Sequence, residues 1–305
     1  MNRSRRNFLK SGAFAIAGAA LLPEALRAAN SSRPILGIQL YSVRDDMKKD
    51  PAGTLRQLAG MGYRNVEHAN YKDRKFYGYS AAEFKKLLDG LELKMYSGHT
   101  VLRKDHWDAT RKDFTDEWKH TVEDAAAVGQ RFVISPWLDE SLRKTYDGFM
   151  AYMEVFNKCG ELCKKSGMKF GYHNHDFEFS TQLNGKKLFD LILQHTDPKL
   201  VAQQLDIGNM YHAGGIAMDI LQKYPRRFEL MHVKDEIKSA DKGEMGGGYE
   251  STVLGKGIIP VKEVINLGVK AGGTQYFIVE QESYQGRSPL DCAKDDYSAM
   301  KGWGF

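Results

Sequence analysis

Short apolar runs recur along the chain, and longer stretches with helix-like spacing of apolar and polar positions separate them. The runs are ILGIQL (35–40), NVE (65–67), KMYS (94–97), FVIS (132–135), KFGY (169–172), VAQQL (201–205), ELMHV (229–233) and YFIVE (276–280). Between them, segments 52–61, 80–88, 116–128, 146–165, 188–193, 218–223 and 261–269 predict helices. A glycine follows several of these just before the next strand, at Gly62, Gly90, Gly129, Gly167 and Gly272. Glycine there can take the left-handed conformation that ends a helix. Helix, glycine, strand, repeated, is the grammar of βα units on a parallel sheet. Eight such strands predict a closed (β/α)8 barrel of the α/β class, in one domain over residues 30–305. No glycine-rich dinucleotide fingerprint follows the first strand, which argues against an open doubly wound sheet. One long connection, 235–257, is rich in glycine and charge and is expected to be a mobile lid over the barrel mouth.

Composition narrows the class. The 305 residues carry a formal charge of +5, with 44 basic and 39 acidic groups. Residues 1–29 hold Arg3, Arg5, Arg6, Lys10 and Arg27 against Glu24, so the remainder has 39 basic and 38 acidic groups. That near-neutral body gives no electrostatic case for nucleic acid or a membrane surface. Cys159 and Cys163 lie one helical turn apart and Cys292 is distant. An odd, sparse set reads as small buried hydrophobes, not a disulfide framework. At the start, SRRNFLK (4–10) precedes SGAFAIAGAALL (11–22), an apolar stretch too short to span a bilayer as a mature helix. This resembles a twin-arginine export signal. The resemblance implies loss of residues 1–29 and export of the folded chain, cofactor loaded, to the periplasm with no membrane anchor.

The chemistry gathers at strand ends. Asp206, His232 and Glu280 close three successive apolar runs, and just upstream MKFGYHNHDFEF carries His173, His175 and Glu178. Carboxylates and imidazoles at the C-terminal ends of successive strands are how a parallel barrel builds a site. Mixed oxygen and nitrogen donors suit a hard or borderline divalent metal. Singly, Asp206 reads as a helix N-cap, His232 as a core histidine and Glu280 as half of a buried ion pair. Together they predict one divalent ion (Mn, Co or Zn) on Asp206, His232 and Glu280, with Glu178 or His173 as fourth ligand. His173 and His175 share a face by period two. With Glu178 and Glu280 they are the candidate acids and bases. Gln39, Glu67, His99, Asn209 and Lys234 are candidate substrate contacts, Lys234 to polarise a substrate oxygen. Tyr41 and Trp137 are candidates to stack on a sugar face.

YHNHDFE (172–178), LDIGNMYHAG (205–214), HVKD (232–235) and VEQE (279–282) resemble the xylose-isomerase-like TIM-barrel superfamily, over residues 34–305. That group includes sugar phosphate isomerases and epimerases, tagatose 3-epimerases and inosose dehydratases. Its epimerases hold a metal with Glu, Asp, His and Glu at the ends of strands five to eight. Asp206, His232 and Glu280 match, whereas His173 stands where the first Glu would be. The His-x-His after strand five and the Glu-Gln-acid run after strand eight are similar to inosose dehydratases. The resemblance implies a divalent-metal isomerase or epimerase that removes a proton beside a carbonyl and stabilises the enediolate. Loss of a neighbouring hydroxyl or alcohol would make the same start a lyase. A non-catalytic carbohydrate-binding barrel would not need Asp206, His232 and Glu280 together. An abasic-site endonuclease on this fold would carry more ligands and a basic groove. The expected partner is a small carbohydrate, and export disfavours a sugar phosphate. Homo-oligomerisation is left open.

Overall fold

In the computed structural model, which describes residues 34–305, eight parallel strands close into a barrel. The leader expected at 1–29 lies outside the described residues. The strands are β1 (Ile35–Gln39), β2 (Asn65–His68), β3 (Lys94–His99), β4 (Phe132–Ser135), β5 (Lys169–His173), β6 (Val201–Asp206), β7 (Leu230–Val233) and β8 (Tyr276–Val279). Each pairs with its neighbours in sequence, and β1 closes on β8 with Ile35 opposite Tyr276 and Ile38 opposite Val279. All residues of β2, β4, β6, β7 and β8 are buried. This follows from having helices outside and packed side chains inside, which is why these strands read as unbroken apolar runs. Inside the barrel Phe132, Ile134, Ala202, Leu230, Tyr276 and Ile278 form an apolar plug. Period two carries the inward face of β6 from Ala202 to Gln204 and Asp206, so the barrel turns polar at its C-terminal end.

The helix Tyr146–Lys165 illustrates how the outer layer is specified. Phe149, Tyr152, Met153, Phe156, Cys159 and Cys163 are its buried stripe, spaced by three and four. Burying each large apolar side chain is worth roughly 1.5–3 kcal/mol. The Thr145 side chain caps its first turn by accepting from the Gly148 N–H at 3.3 Å. A Cβ on Gly160 would lie 2.7 Å from the Leu200 carbonyl oxygen, so only glycine lets the helix approach this closely.

Several expectations need correction. Gly62, Gly129 and Gly167 do adopt left-handed φ values of 114°, 100° and 73°. Gly90 instead ends the helix Ala81–Gly90 from within, and Leu91 caps it. The left-handed residue near Gly272 is Gly273, at φ 75°. A helix at Pro289–Gly302 was not anticipated. The connection expected as a loose lid contains a hairpin, Asp235–Lys238 antiparallel to Tyr249–Thr252. Its base is tied by the Asp235 carboxylate, which accepts N–H groups from Glu236, Gly255, Gly257 and Ile259. Among the described residues no helix is long and apolar enough to cross a membrane.

Candidate metal centre and active site

Strand register sets the site. Asp206 lies opposite His232 across β6 and β7, and Gln204 lies opposite His173 across β6 and β5. As a result one donor atom from each of His173, Asp206, His232 and Glu280 falls within a 4.8 Å sphere of mutual distances, all four residues being buried. His232 Nδ1 is 3.2 Å from Glu280 Oε2 and 3.7 Å from Asp206 Oδ2, while His173 Nε2 is 3.9 Å from Asp206 Oδ2.

Asp206 is held from its own turn. Its Oδ1 accepts the N–H groups of Gly208 (2.9 Å) and Asn209 (2.6 Å). The Asn174 side chain accepts from the Asp206 N–H and donates to the Asp206 carbonyl, clamping that peptide to the end of β5. The other oxygen, Oδ2, is buried with no hydrogen-bond partner. A buried carboxylate oxygen without a donor is costly unless a cation faces it.

The two histidines are aimed by groups behind them. His232 Nε2 lies 2.6 Å from Glu67 Oε1. Gln204 Nε2 donates to Glu67 Oε2 (2.8 Å), so its Oε1 is the acceptor for His99 Nε2 (2.7 Å) and His173 Nδ1 (3.0 Å). This leaves His232 Nδ1 and His173 Nε2 facing the acids, the arrangement in which an outer carboxylate or amide orients a ligating imidazole. Burial pushes His232 down, yet Glu280 and Glu67 hold it well above its ordinary value. Surroundings that favour a proton on Nδ1 favour a metal ion there as well. Burial pushes the Glu67 carboxyl up, but His99 and His232 hold it well below the usual range, so it stays an anion. The donor set, the orphaned Asp206 oxygen and the outer partners fit a divalent metal.

A cavity of about 600 Å³ opens over this centre. His99, His173, His175, Asn209, Glu280 and Glu282 line its depth, and Tyr41 and Trp137 stand at its edge. Glu280 Oε2 is engaged by His232. Burial holds the His175 imidazole down to about 4, so it is neutral near pH 7. Beneath Glu282 lies Lys234, fully buried, with Nζ donating to Glu282 Oε1 (2.5 Å) and Asn209 Oδ1 (3.1 Å). Burial pushes this amine down, but Glu282 and Glu280 hold it well above its ordinary value, so it remains charged.

Several residues play other parts than the sequence suggested. Glu178 does not join the metal cluster. Its Oε1 accepts from the Tyr172 hydroxyl and its Oε2 from the His175 N–H, and burial pushes its carboxyl up to about 8. His173, not Glu178, completes the four-residue cluster whose donor atoms lie close enough to hold an ion. Glu67 and Gln39 are fully buried and do not line the cavity. Gln39 Nε2 donates to Glu67 Oε1 (2.8 Å), so both support the histidines from behind. Lys234 is also absent from the cavity wall, and acts through Glu282 and Asn209. His99 and Asn209 do line the cavity. Gln204, Asn174 and Glu244 escaped the sequence reading. Only Gln204 left a signal, a polar side chain inside an apolar strand at the inward parity of Asp206.

Residues 55–302 match the family model of the xylose isomerase-like TIM barrel. The chain belongs to this family. Among curated members, the inosose dehydratase of Bacillus licheniformis is 27% identical over 62% of this chain and 67% of its own length. That of Clostridium tetani is 30% identical over 52% of this chain and 56% of its own length. The aligned stretches thus span between about half and two thirds of these relatives. Among solved structures, a sugar phosphate isomerase/epimerase from Parabacteroides distasonis superposes with a TM-score of 0.76 at 23% identity, covering 90% of this chain and 95% of that one. An L-ribulose 3-epimerase superposes at 0.66 with 14% identity, covering 89% and 94%. These two likenesses establish the xylose isomerase-like fold.

Proposed function

We propose that this protein is a divalent-metal isomerase or epimerase acting on a carbohydrate by removing the proton beside a carbonyl. The observation that carries the reading is the buried cluster of His173, Asp206, His232 and Glu280, with an unpartnered Asp206 oxygen, at the floor of an open cleft. A divalent ion such as Mn²⁺, Co²⁺ or Zn²⁺ would be held by His173, Asp206, His232 and Glu280 and would supply Lewis acidity to the substrate carbonyl.

The chain's own residues do the rest. Glu280 is the base: its carboxylate belongs to the buried cluster and fronts the cavity. Lys234, 3.9 Å from its Oε2, offsets the charge of the carboxylate pair Glu280 and Glu282. His175, on another part of the wall, hydrogen-bonds the sugar hydroxyls and fixes which carbon faces Glu280, while Asn209 bridges Lys234 and His173 behind it. Return of the proton from Glu280 to the adjacent carbon gives isomerisation, whereas epimerisation takes a second proton donor on the opposite face, which His175 or solvent in the open cleft would supply.

One observation favours a lyase as a second reading. Beside the β8 carboxylates the cavity is lined by His173 and His175 from the end of β5, and the two curated relatives described above are inosose dehydratases. The same proton removal followed by loss of water or an alcohol from the next carbon would then complete the reaction.

The test is solvent exchange. Metal-loaded protein is incubated with a panel of keto-sugars in heavy water and followed by proton NMR. Deuterium should enter beside the carbonyl, and Glu280→Gln should slow this by about 10²- to 10⁴-fold. A new isomer signals isomerase, and an alkene signal signals lyase. No exchange on any substrate with metal bound would sink both readings.

A further inference from the structure

The cleft does not end at the metal cluster. Its 600 Å³ lies in the range that buries a drug-sized ligand, whereas a hexose has only a dozen heavy atoms. Across Tyr41, Ala69 and Asn70, which line both, it continues into a second hollow of about 450 Å³ beside Arg44 and Tyr77. The reactive centre lies at one end of this channel, because His173 and Glu280 line only the first hollow.

Two aromatic side chains stand along it with their rings to solvent. Tyr41 is 41% exposed and Trp137 is 42% exposed, and no other aromatic among the described residues is a large exposed hydrophobic. Neither is loose. The Arg44 guanidinium lies 4.7 Å from the Tyr41 ring centre, and its N–H groups bond the Tyr41 carbonyl, the Tyr284 hydroxyl and the Glu282 carbonyl. The Tyr41 N–H in turn donates to Gln39 Oε1 at 3.2 Å. Trp137 is braced by edge contacts to Phe177 and His175 at 5.1 and 5.3 Å between ring centres. An arginine lies over each ring, Arg44 on Tyr41 and Arg143 on Trp137 at 5.5 Å, and the exposed remainder of each held aromatic is pre-organised for a flat apolar face, such as the C–H side of a pyranose.

The two platforms differ in place. Trp137 contacts His175 within the hollow that also holds His173 and Glu280. Tyr41 stands where the two hollows join. We infer that the substrate is a glycoside of at least two rings, its keto-sugar ring under Trp137 and its second sugar ring stacked on Tyr41. This rests on the proton-abstraction reading for the first ring alone. Stacking of the second ring requires no chemistry.

Binding and exchange separate the two ideas. Saturation-transfer and titration NMR compare a pyranose that carries its carbonyl on a ring carbon other than the anomeric one, its methyl glycoside and the matching disaccharides on the metal-loaded full chain. The best disaccharide should bind about tenfold or more tighter than the methyl glycoside. Tyr41→Ala should shrink that ratio to under about threefold, while Tyr41→Phe, which keeps the ring, should retain it. Thermal melting of each variant reports folding. Equal affinity for one and two rings, a ratio unchanged in Tyr41→Ala, or no binding by any member overturns the inference. Selective binding of disaccharides without any proton exchange would instead overturn the proton-abstraction reading and leave the second-ring site standing.

Discussion

Glu67 Oε1 sits 2.6 Å from Nε2 of His232, while the opposite nitrogen of that ring faces Asp206 and Glu280. The carboxylate on β2 therefore decides which nitrogen of a β7 histidine is free. Glu67→Gln should lower affinity for Mn²⁺, Co²⁺ or Zn²⁺ by about 10- to 100-fold, with the barrel still folded. Asp206→Ala should abolish binding. Titration calorimetry, with metal analysis of the purified proteins, measures both. A folded Asp206→Ala protein with wild-type metal content would show that the ion, if any, sits elsewhere.

The hairpin after β7 reaches the site. Glu244 Oε2 is 3.5 Å from Lys234 Nζ, and Ser251 Oγ donates to Glu244 Oε1 and accepts the Glu282 N–H. Replacing residues 240–247 with a two-residue turn removes Glu244 and slackens the wall that carries Glu282. Substrate-proton exchange should fall at least about tenfold, as when a covering element is lost. Turnover and affinity equal to wild type would make the hairpin dispensable.

Asp296 supplies a pH test away from the site. It is 1% exposed and accepts the Leu254 N–H at 2.9 Å. Burial, aided by Asp295 and Asp235, pushes its carboxyl from an ordinary 3.8 up to about 7. Between these values the folded chain keeps a proton that the unfolded chain has released, so stability falls as pH rises, and the loss is complete above about 7. Its ceiling is on the order of 4 kcal/mol. Asp296→Asn keeps the acceptor and removes the charge. Its melting-temperature advantage over wild type should grow from pH 5 to pH 7 and then level off. An advantage that is the same at pH 5 and pH 8 would rule out a buried neutral carboxyl.

The twin-arginine reading is tested by location. With Arg5→Lys and Arg6→Lys together, the full chain should stay in the bacterial cytoplasm, whereas wild type should reach the periplasm. Cell fractionation and immunoblotting decide it, and an unchanged distribution would end the export reading.

The barrel was legible because most of its strands are buried on both faces and so leave short apolar runs. The helix Pro289–Gly302 left no such mark, since it buries Cys292, Ala293, Asp296 and Met300, a set with little apolar contrast. Asp206, His232 and Glu280 could be read from strand ends, because position along a strand is a local property. The roles of Glu67 and Gln39 could not. They depend on the pairing of Gln39 with Glu67 and on a contact spanning 165 positions to His232, which no local pattern encodes. Glu178 misled because closeness in sequence to His173 suggested closeness to the metal, whereas the short helical turn Phe177–Ser180 turns it back onto Tyr172.

An amide has a direction, and the one on Gln204 is fixed at both ends. Its nitrogen is committed to Glu67, so its single oxygen must serve His99 and His173 together. Side chains from β2, β3, β5 and β6 thus form one circuit of donors and acceptors, which Glu67 extends to His232 on β7. Reversing any one member, for instance by putting an acid in place of His173, sets two acceptors face to face unless Gln204 also turns over, which would break its bond to Glu67. The hydrogen-bonding groups of this site are therefore coupled: a change at His173 alone leaves Gln204 with an acceptor it cannot satisfy without losing Glu67.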